Sequence, residues 1–283
     1  MADQVSFPHD TPEGRHSVTV NYHREGSGTP LLLIHGIGHH WQAWQPVLPA
    51  LAEKHDVVAL DLSGFGTSPA LPSGVTYALD SVVPLLGELC TALGIERPHV
   101  AGNSLGGLLA LELGRRDLAR SVTALSPAGF WTPWERRYAF AVLQSMRFGA
   151  RTLPPKAVER LAAGAGGRAL LLGSIYAHPA RRTQAEAIAE TRALRHAQGF
   201  TPTLTAGRAV QFSGDVPGIP VSIGWGTGDR LLLPRQADRA LREMPGARLV
   251  RLPGCGHVPM SDAPALVAET ILDTCATAEK IAA

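Results

Sequence analysis

Cysteine is scarce in this sequence of 283 residues, which contains only three, at positions 90, 255 and 275. An odd number of widely spaced cysteines argues against a disulfide framework and is typical of a reducing compartment. The first ten residues include Asp3 and Asp10, whereas a signal peptide needs a basic start followed by an apolar stretch. The sequence therefore predicts a cytoplasmic protein.

Long apolar runs and an excess of one charge are also missing. No stretch reaches the roughly 18 to 20 consecutive apolar residues that span a bilayer. The 26 basic and 24 acidic residues nearly balance, and the basic residues form no dense stripe of the kind that binds nucleic acid. We therefore expect no membrane partner and no nucleic-acid partner.

What the sequence does have is apolar material for a large core. Hydrophobic residues make up 45% and charged residues 18%, enough for one core or for a core with a smaller subdomain. Short apolar runs alternate with segments of helical periodicity, which predicts an α/β fold with a mainly parallel central sheet flanked by helices. Strands are predicted at 16–24, 30–35, 56–61, 98–101, 121–126, 220–225 and 247–252, and helices at 77–93 and 105–113.

The alternation stops between residues 127 and 215. Helical patterns at 134–148, 155–162, 168–176 and 182–198 follow one another there, separated by turns that contain glycine or proline. The sequence therefore predicts a core made of residues 1–126 and 216–283, with a helical cap of residues 127–215 inserted into it.

A serine stands between two glycines directly after an apolar run, in the pattern G-x-S-x-G formed by Gly102, Ser104 and Gly106. This pattern is typical of a nucleophile elbow, a strand-to-helix turn so sharp that the residues two positions away must have almost no side chain. The helix behind the turn directs its N–H groups towards any negative charge that develops there. Ser104 is therefore the predicted nucleophile.

An aspartate and a histidine each follow a later strand-like run, at Asp229 and His257. A serine hydroxyl is a poor nucleophile at neutral pH unless a base accepts its proton. We therefore predict that His257 is this base and that Asp229 accepts a hydrogen bond from the other ring nitrogen.

The loop after the strand at 30–35 is rich in glycine and is predicted to complete the site. The backbone N–H groups of Ile37 and Leu105 are the expected oxyanion hole. Gly36, Phe130 and Trp131 are candidates for contacting the substrate in an apolar pocket, although packing of the cap on the core explains the two aromatic residues equally well.

The same loop contains two histidines four residues apart, His35 and His39. Because Gly36 and Gly38 place them in a loop, they lack the helical geometry of a zinc-binding pair, and His35 is expected to order the loop by hydrogen bonding. We expect no metal and no cofactor.

Taken together, these segments resemble the α/β-hydrolase fold superfamily, in particular its serine hydrolases with a helical cap. Five motifs in order carry the resemblance, at 35–38, 61–68, 102–107, 225–229 and 254–257, and it extends from about residue 16 to the end apart from the insertion. The resemblance implies the fold of that family and the chain order Ser, Asp, His of its catalytic triad. It implies a cofactor-free reaction through an acyl-enzyme, with a small to medium, largely apolar carboxylic ester as the substrate.

Other activities remain open at this point. The segment 102–107 also resembles enzymes that hydrolyse a carbon–carbon bond in a vinylogous diketone, but the residues after His257 lack the tryptophan and glutamate that those enzymes tend to carry. Dehalogenases and epoxide hydrolases need a carboxylate in place of Ser104. A ligand-binding protein without turnover is an alternative of another class. The sequence does not distinguish a monomer from a homodimer.

Overall fold

The structure is a computed structural model that describes residues 3–12 and 14–282. It contains the strands β1 (Asp3–Thr11), β2 (Gly14–Glu25), β3 (Thr29–Ile34), β4 (His55–Leu60), β5 (His99–Asn103), β6 (Ser121–Leu125), β7 (Val221–Gly226) and β8 (Arg248–Leu252). All eight form one sheet, in the spatial order β1-β2-β4-β3-β5-β6-β7-β8. The pairs β1–β2 and β2–β4 are antiparallel, and the other neighbours are parallel.

Helices pack on the sheet and follow its strands along the chain. They are α1 (Leu48–Ala52), α2 (Leu79–Ala92), α3 (Leu105–Arg115), α4 (Pro133–Thr152), α5 (Pro155–Ala163), α6 (Ala165–Leu172), α7 (Gln184–His196), α8 (Phe200–Gly207), α9 (Gln236–Glu243), α10 (Pro259–Asp262) and α11 (Pro264–Ala282). Among the described residues, no helix combines the length and the apolar character that crossing a membrane requires.

The predicted α/β fold is confirmed. The seven predicted strands correspond to β2 to β8, each within two residues at either end. Parallel strands covered on both faces are nearly continuous apolar runs, and Leu31, Leu32, Leu33 and Ile34 of β3 are accordingly fully buried.

The first strand, β1, is missing from the sequence prediction. It lies at the edge of the sheet, and only Phe7 and His9 of its nine residues are buried. Pro8 interrupts the pattern between them, as is common in an edge strand because proline cannot donate a hydrogen bond. With so little apolar alternation, the segment carries no strand signal.

Five helices, α4 to α8, lie between β6 and β7, and residues 127–215, all of which are described, contain no strand. The predicted helices of this region correspond to α4 to α7. The sequence analysis missed α8, whose Thr201, Pro202, Thr203 and Gly207 have low helix propensity. The helix forms because tertiary packing buries Phe200 and Leu204 one turn apart.

A buried carboxylate ties the start of α4 to α9. Glu135 closes a capping box with Thr132 and also accepts hydrogen bonds from Arg235, at 2.6 Å, and from Arg239. Burial alone would raise the pKa of this carboxyl, but the hydrogen bonds from Arg239, from the Thr132 backbone and from Arg235 outweigh it and lower the pKa from 4.5 to about 2. The ionised form of Glu135 therefore stabilises the folded state.

We predict that Glu135→Gln lowers the free energy of unfolding at neutral pH by about 2 kcal/mol, because it removes the charge that both arginines face. Since the folded-state pKa is depressed, the stabilisation is present above pH 4.5 and is lost as the pH falls towards about 2. Urea unfolding of both proteins across this pH range measures the difference. Asp10→Asn, in an exposed pair with Arg15, is the control and should change stability by less than about 0.5 kcal/mol. A difference that persists unchanged at pH 2 would contradict this account.

Candidate active site

Ser104 lies in a strained turn between the end of β5 and the start of α3. Its φ of 59° and ψ of −114° fall where side chains are rarely tolerated. The turn closes only because glycine stands on either side: a Cβ on Gly102 would lie 2.0 Å from the carbonyl oxygen of Gly106, and a Cβ on Gly106 would lie 2.0 Å from the carbonyl oxygen of Ile34. This is the geometry that the G-x-S-x-G pattern predicts.

Asp229 and His257 form a buried hydrogen-bonded pair. His257 Nδ1 lies 2.8 Å from Asp229 Oδ2, and both residues are only 3% exposed. The other carboxylate oxygen, Oδ1, accepts hydrogen bonds of 2.9 Å from the N–H groups of Leu231 and Leu232. Because an ionised carboxylate can only accept, the proton of the neutral imidazole sits on Nδ1 and leaves Nε2 as the basic nitrogen.

The backbone of His257 is anchored from two sides. Its carbonyl accepts a 2.9 Å hydrogen bond from Asn103 Nδ2, from the residue next to Ser104. Its N–H donates to the carbonyl of Ile175, between β6 and β7, at 2.8 Å, and the N–H of Val258 donates to the same oxygen at 3.1 Å. The position of the histidine therefore depends on both the elbow and the helical insertion.

The loop after β3 lies directly beside Ser104. A Cβ on Gly36 would be 3.1 Å from Ser104 Cβ. Leu105 is the first residue of α3, so its N–H has no acceptor within the helix. Ile37 and Leu105 line a small cavity that also reaches Ser104, which places both predicted oxyanion-hole residues next to the serine.

His35 holds this loop in place, as expected from the sequence. Its Nε2 accepts a 3.0 Å hydrogen bond from the N–H of Leu62, so Nδ1 carries the proton and donates to the carbonyl of Gly36 at 2.7 Å. Burial lowers the pKa of His35 to about 4 despite the nearby carboxylate of Asp61. The ring is therefore neutral at physiological pH and acts as a structural bridge.

A cavity of about 460 Å³ opens at Ser104 and His257. Its walls come from the loop after β3, from α4, α6 and α7, and from the segment that carries His257. The apolar side chains among its lining include Leu143, Met146, Leu170, Leu171, Leu172, Ile175 and Leu194, and the polar ones include His39, Ser174, Glu190 and Thr191. A largely apolar cavity with several polar positions is typical of a small-molecule site.

The three residues predicted to contact the substrate, Gly36, Phe130 and Trp131, lie in different places. Gly36 lines the large cavity, and Trp131 lines the smaller one. Phe130 is not among the described residues that line either cavity, because its ring packs on Phe212 with centroids 5.2 Å apart, and its carbonyl accepts a hydrogen bond from Arg239. The contact of Phe130 with a substrate stays a prediction that the lining of these cavities does not support.

The polar cavity residues that were not predicted as part of the site include His39, Glu190 and Asn103. The sequence analysis weighed His39 only as a metal ligand, and it attached no role to Glu190, which lies in α7 among other charged residues. Asn103 could have been identified from the sequence, because it stands between Gly102 and Ser104 in the elbow. No sequence signal relates α7 to the loop after β3, because their contact is purely tertiary.

One group of three side chains in the described part of the chain has the spacing of a metal site. His55, His99 and Glu279 each place a ligand atom within 4.8 Å of the others. His55 and His99 are the first residues of β4 and β5, so the group lies at the opposite edge of the sheet from Ser104, which follows the carboxyl end of β5.

Comparison with known proteins bears on the family and the fold of this chain. The sequence pattern of the alpha/beta hydrolase family matches residues 31–270. The uncharacterized protein Rv2715 from Mycobacterium tuberculosis is 30% identical over an alignment of length 283, which covers 90% of this chain and 78% of that protein. A 2-hydroxymuconate semialdehyde hydrolase from Pseudomonas sp. is 36% identical over 139 residues, 46% of this chain and 49% of that enzyme.

Among solved structures, a thermophilic esterase from Thermogutta terrifontis is similar with a TM-score of 0.77 at 21% identity, over 98% of this chain and 99% of that one. At this level of identity the likeness concerns the fold alone.

We predict that Gly106→Ala lowers the free energy of unfolding by about 3 kcal/mol, because the added methyl group meets a backbone carbonyl that cannot move aside. The matched control is Gly166→Ala in α6, where a Cβ meets nothing within 4 Å; it should be neutral or stabilise by up to about 1 kcal/mol. Denaturant unfolding measures both. Equal effects of the two substitutions would show that the contact at Gly106 is not what constrains the turn.

Proposed function

This chain belongs to the alpha/beta hydrolase family, and from that membership we propose that it is a serine hydrolase acting on small to medium, largely apolar carboxylic esters. The observation that carries the proposal is the buried hydrogen bond between His257 and Asp229 at a cavity that Ser104 also lines. An acid–base pair beside a strained serine is the arrangement that covalent acyl transfer requires.

In the proposed reaction, Ser104 Oγ attacks the ester carbonyl carbon while His257 Nε2 takes its proton. The negative charge that develops on the carbonyl oxygen is stabilised by the N–H groups of Ile37 and Leu105. His257 then gives the proton to the departing alcohol, leaving an acyl group on Ser104. A water molecule, activated by the same histidine, releases the acid and restores the serine.

Asp229 has a positioning and electrostatic role in this scheme. Its two oxygens accept three hydrogen bonds, from His257 and from two backbone N–H groups. The carboxylate therefore holds the ring in the required tautomer and stabilises the imidazolium formed during the attack.

We also propose that residues 127–215 act as a cap on a core of residues 1–126 and 216–283. Side chains of α4, α6 and α7 supply most of the apolar lining of the cavity, so this region would decide which acyl and alcohol groups fit. A hydrophobic pocket discriminates by only about 1 to 3 kcal/mol per methylene. Selectivity among homologous esters should therefore be graded.

A second candidate is hydrolysis of a carbon–carbon bond in a vinylogous diketone. It is favoured by the similarity of nearly half of the chain to a 2-hydroxymuconate semialdehyde hydrolase. The residues that follow His257, Val258 to Asp262, lack the tryptophan and glutamate that such enzymes tend to carry, which argues against it. Negligible rates on all esters with rapid cleavage of a ring-fission diketone would favour this alternative.

We predict that a fluorophosphonate probe labels the wild-type protein and leaves Ser104→Ala unlabelled, because only Ser104 lies in an elbow beside a base. Ser174→Ala is the matched control, since Ser174 lines the same cavity outside the elbow; it should be labelled like the wild type. Labelling that persists in Ser104→Ala would contradict the proposed function. The absence of burst kinetics on an activated ester would also contradict it and would indicate a ligand-binding protein without turnover.

We predict that Asp229→Asn lowers kcat on a p-nitrophenyl ester by roughly 10⁴-fold, with little change in fold, because the amide favours the wrong tautomer of His257. Steady-state kinetics measure the loss, and circular dichroism checks the fold. A loss below about tenfold would mean that Asp229 does not orient the base.

A further inference from the structure

Three buried polar atoms at the large cavity have no hydrogen-bond partner among the described residues. They are both ring nitrogens of His39 and the Oε2 oxygen of Glu190. Both residues line the cavity that holds Ser104 and His257. Buried polar atoms are nearly always hydrogen-bonded, so unpaired ones in a binding cavity indicate positions where a ligand supplies the partner.

Glu190 is held so that only one of its oxygens is occupied by protein. Its Oε1 accepts hydrogen bonds from the hydroxyl of Tyr176, at 3.0 Å, and from Arg182, at 2.7 Å. The side chain is 6% exposed. These two hydrogen bonds favour the carboxylate form, whereas burial, the larger effect, raises the pKa of Glu190 above its usual value. In the ionised form, Oε2 is an acceptor without a protein partner.

His39 lines the same cavity from the loop after β3. Its ring centroid is 6.5 Å from that of Tyr176, whose hydroxyl binds Glu190. Burial lowers the pKa of His39 well below its usual range, and the neighbouring rings of His40 and His35 lower it further. The ring is therefore neutral and offers one donor and one acceptor nitrogen.

The charges around this end of the cavity disfavour an anionic ligand. Arg182 is the cation in contact with Glu190, and it also pairs with Glu186 at 3.1 Å. The two carboxylates outnumber the guanidinium, and the Arg182 NH1 group is further occupied by the hydroxyl of Ser261. A ligand carboxylate would be repelled by Glu190 Oε2, whereas a hydroxyl could donate to it.

We propose that His39 and Glu190 form a polar subsite for a hydroxyl group, so that the preferred substrate is an ester with an apolar chain that carries a hydroxyl away from the scissile bond. The inference rests on the proposed function and narrows its substrate class. A plain hydrocarbon chain would leave these atoms unpaired, which is costly for buried groups. A hydroxyl can donate to Glu190 Oε2 and can accept from a histidine N–H.

The test compares kcat/KM for two pairs of esters, because either the acyl or the alcohol part can enter the subsite. The first pair is p-nitrophenyl 6-hydroxyhexanoate and p-nitrophenyl hexanoate. The second is the monohexanoate of 1,4-butanediol and butyl hexanoate. We expect the wild-type protein to prefer the hydroxylated member of at least one pair by about tenfold or more, the effect of one satisfied buried hydrogen bond.

Two variants assign this preference to the subsite. His39→Leu loses no hydrogen bond within the described protein, so it should fold normally. Glu190→Gln keeps the acceptor that Tyr176 and Arg182 need but replaces the free acceptor by a donor. Each should reduce the preference to about threefold or less.

Thr191→Val is the matched control for these variants. Thr191 also lines the cavity, but its hydroxyl already donates to the carbonyl of Ala187 at 2.8 Å. The preference for the hydroxylated ester should therefore stay at its wild-type value in this variant.

Equal kcat/KM within both pairs for the wild-type protein would overturn the subsite and leave the hydrolase proposal intact. If no ester is turned over, calorimetric binding of methyl 6-hydroxyhexanoate and methyl hexanoate to Ser104→Ala decides the question without catalysis. A preference of about tenfold in Kd that His39→Leu abolishes would support the subsite, and equal binding would overturn it.

Discussion

Two backbone contacts at the elbow govern the arrangement of the candidate site. Gly106 lies so close to the Ile34 carbonyl, and Gly102 so close to the Gly106 carbonyl, that neither position has room for a Cβ. These contacts press the start of α3 against the ends of β3 and β5. The positive φ of Ser104 costs on the order of 1–3 kcal/mol, which the complete burial of β5 and most of α3 offsets. The serine, the loop after β3 and the histidine segment all take their positions from this junction.

Two buried carboxylates, Asp229 and Glu190, differ in how many of their oxygens are hydrogen-bonded within the protein. Asp229 has both oxygens occupied by protein donors, so it is rigid and has little capacity for a ligand. Glu190 has one oxygen occupied and one free. In the proposed roles, the same chemical group serves orientation in one place and recognition in the other, according to how many acceptor positions the fold fills.

Much of this arrangement could be predicted from the sequence because local patterns carry it. The strands covered on both faces are apolar runs, and Ser104, Asp229 and His257 each follow such a run, so their convergence at one edge of the sheet follows from parallel topology. β1 could not be predicted because only Phe7 and His9 are buried in it. The roles of Phe130, which packs on Phe212, and of Glu190 depend on which way a side chain faces in three dimensions, and no local pattern contains that information.

The carbonyl of Ile175 accepts hydrogen bonds from two successive N–H groups of the histidine segment, and this has a consequence for engineering. Replacing residues 127–215 by the insertion of a relative would also replace Ile175, whose carbonyl fixes the backbone of His257 and thereby the position of its imidazole. The Asp262 carboxylate adds a second connection between this region and the C-terminal part of the chain, because it accepts hydrogen bonds from the N–H groups of Ala177 and His178. Residues 175–178 are therefore hydrogen-bonded to the segment 257–262. An exchange of the insertion that is meant to preserve activity should keep these four residues unchanged.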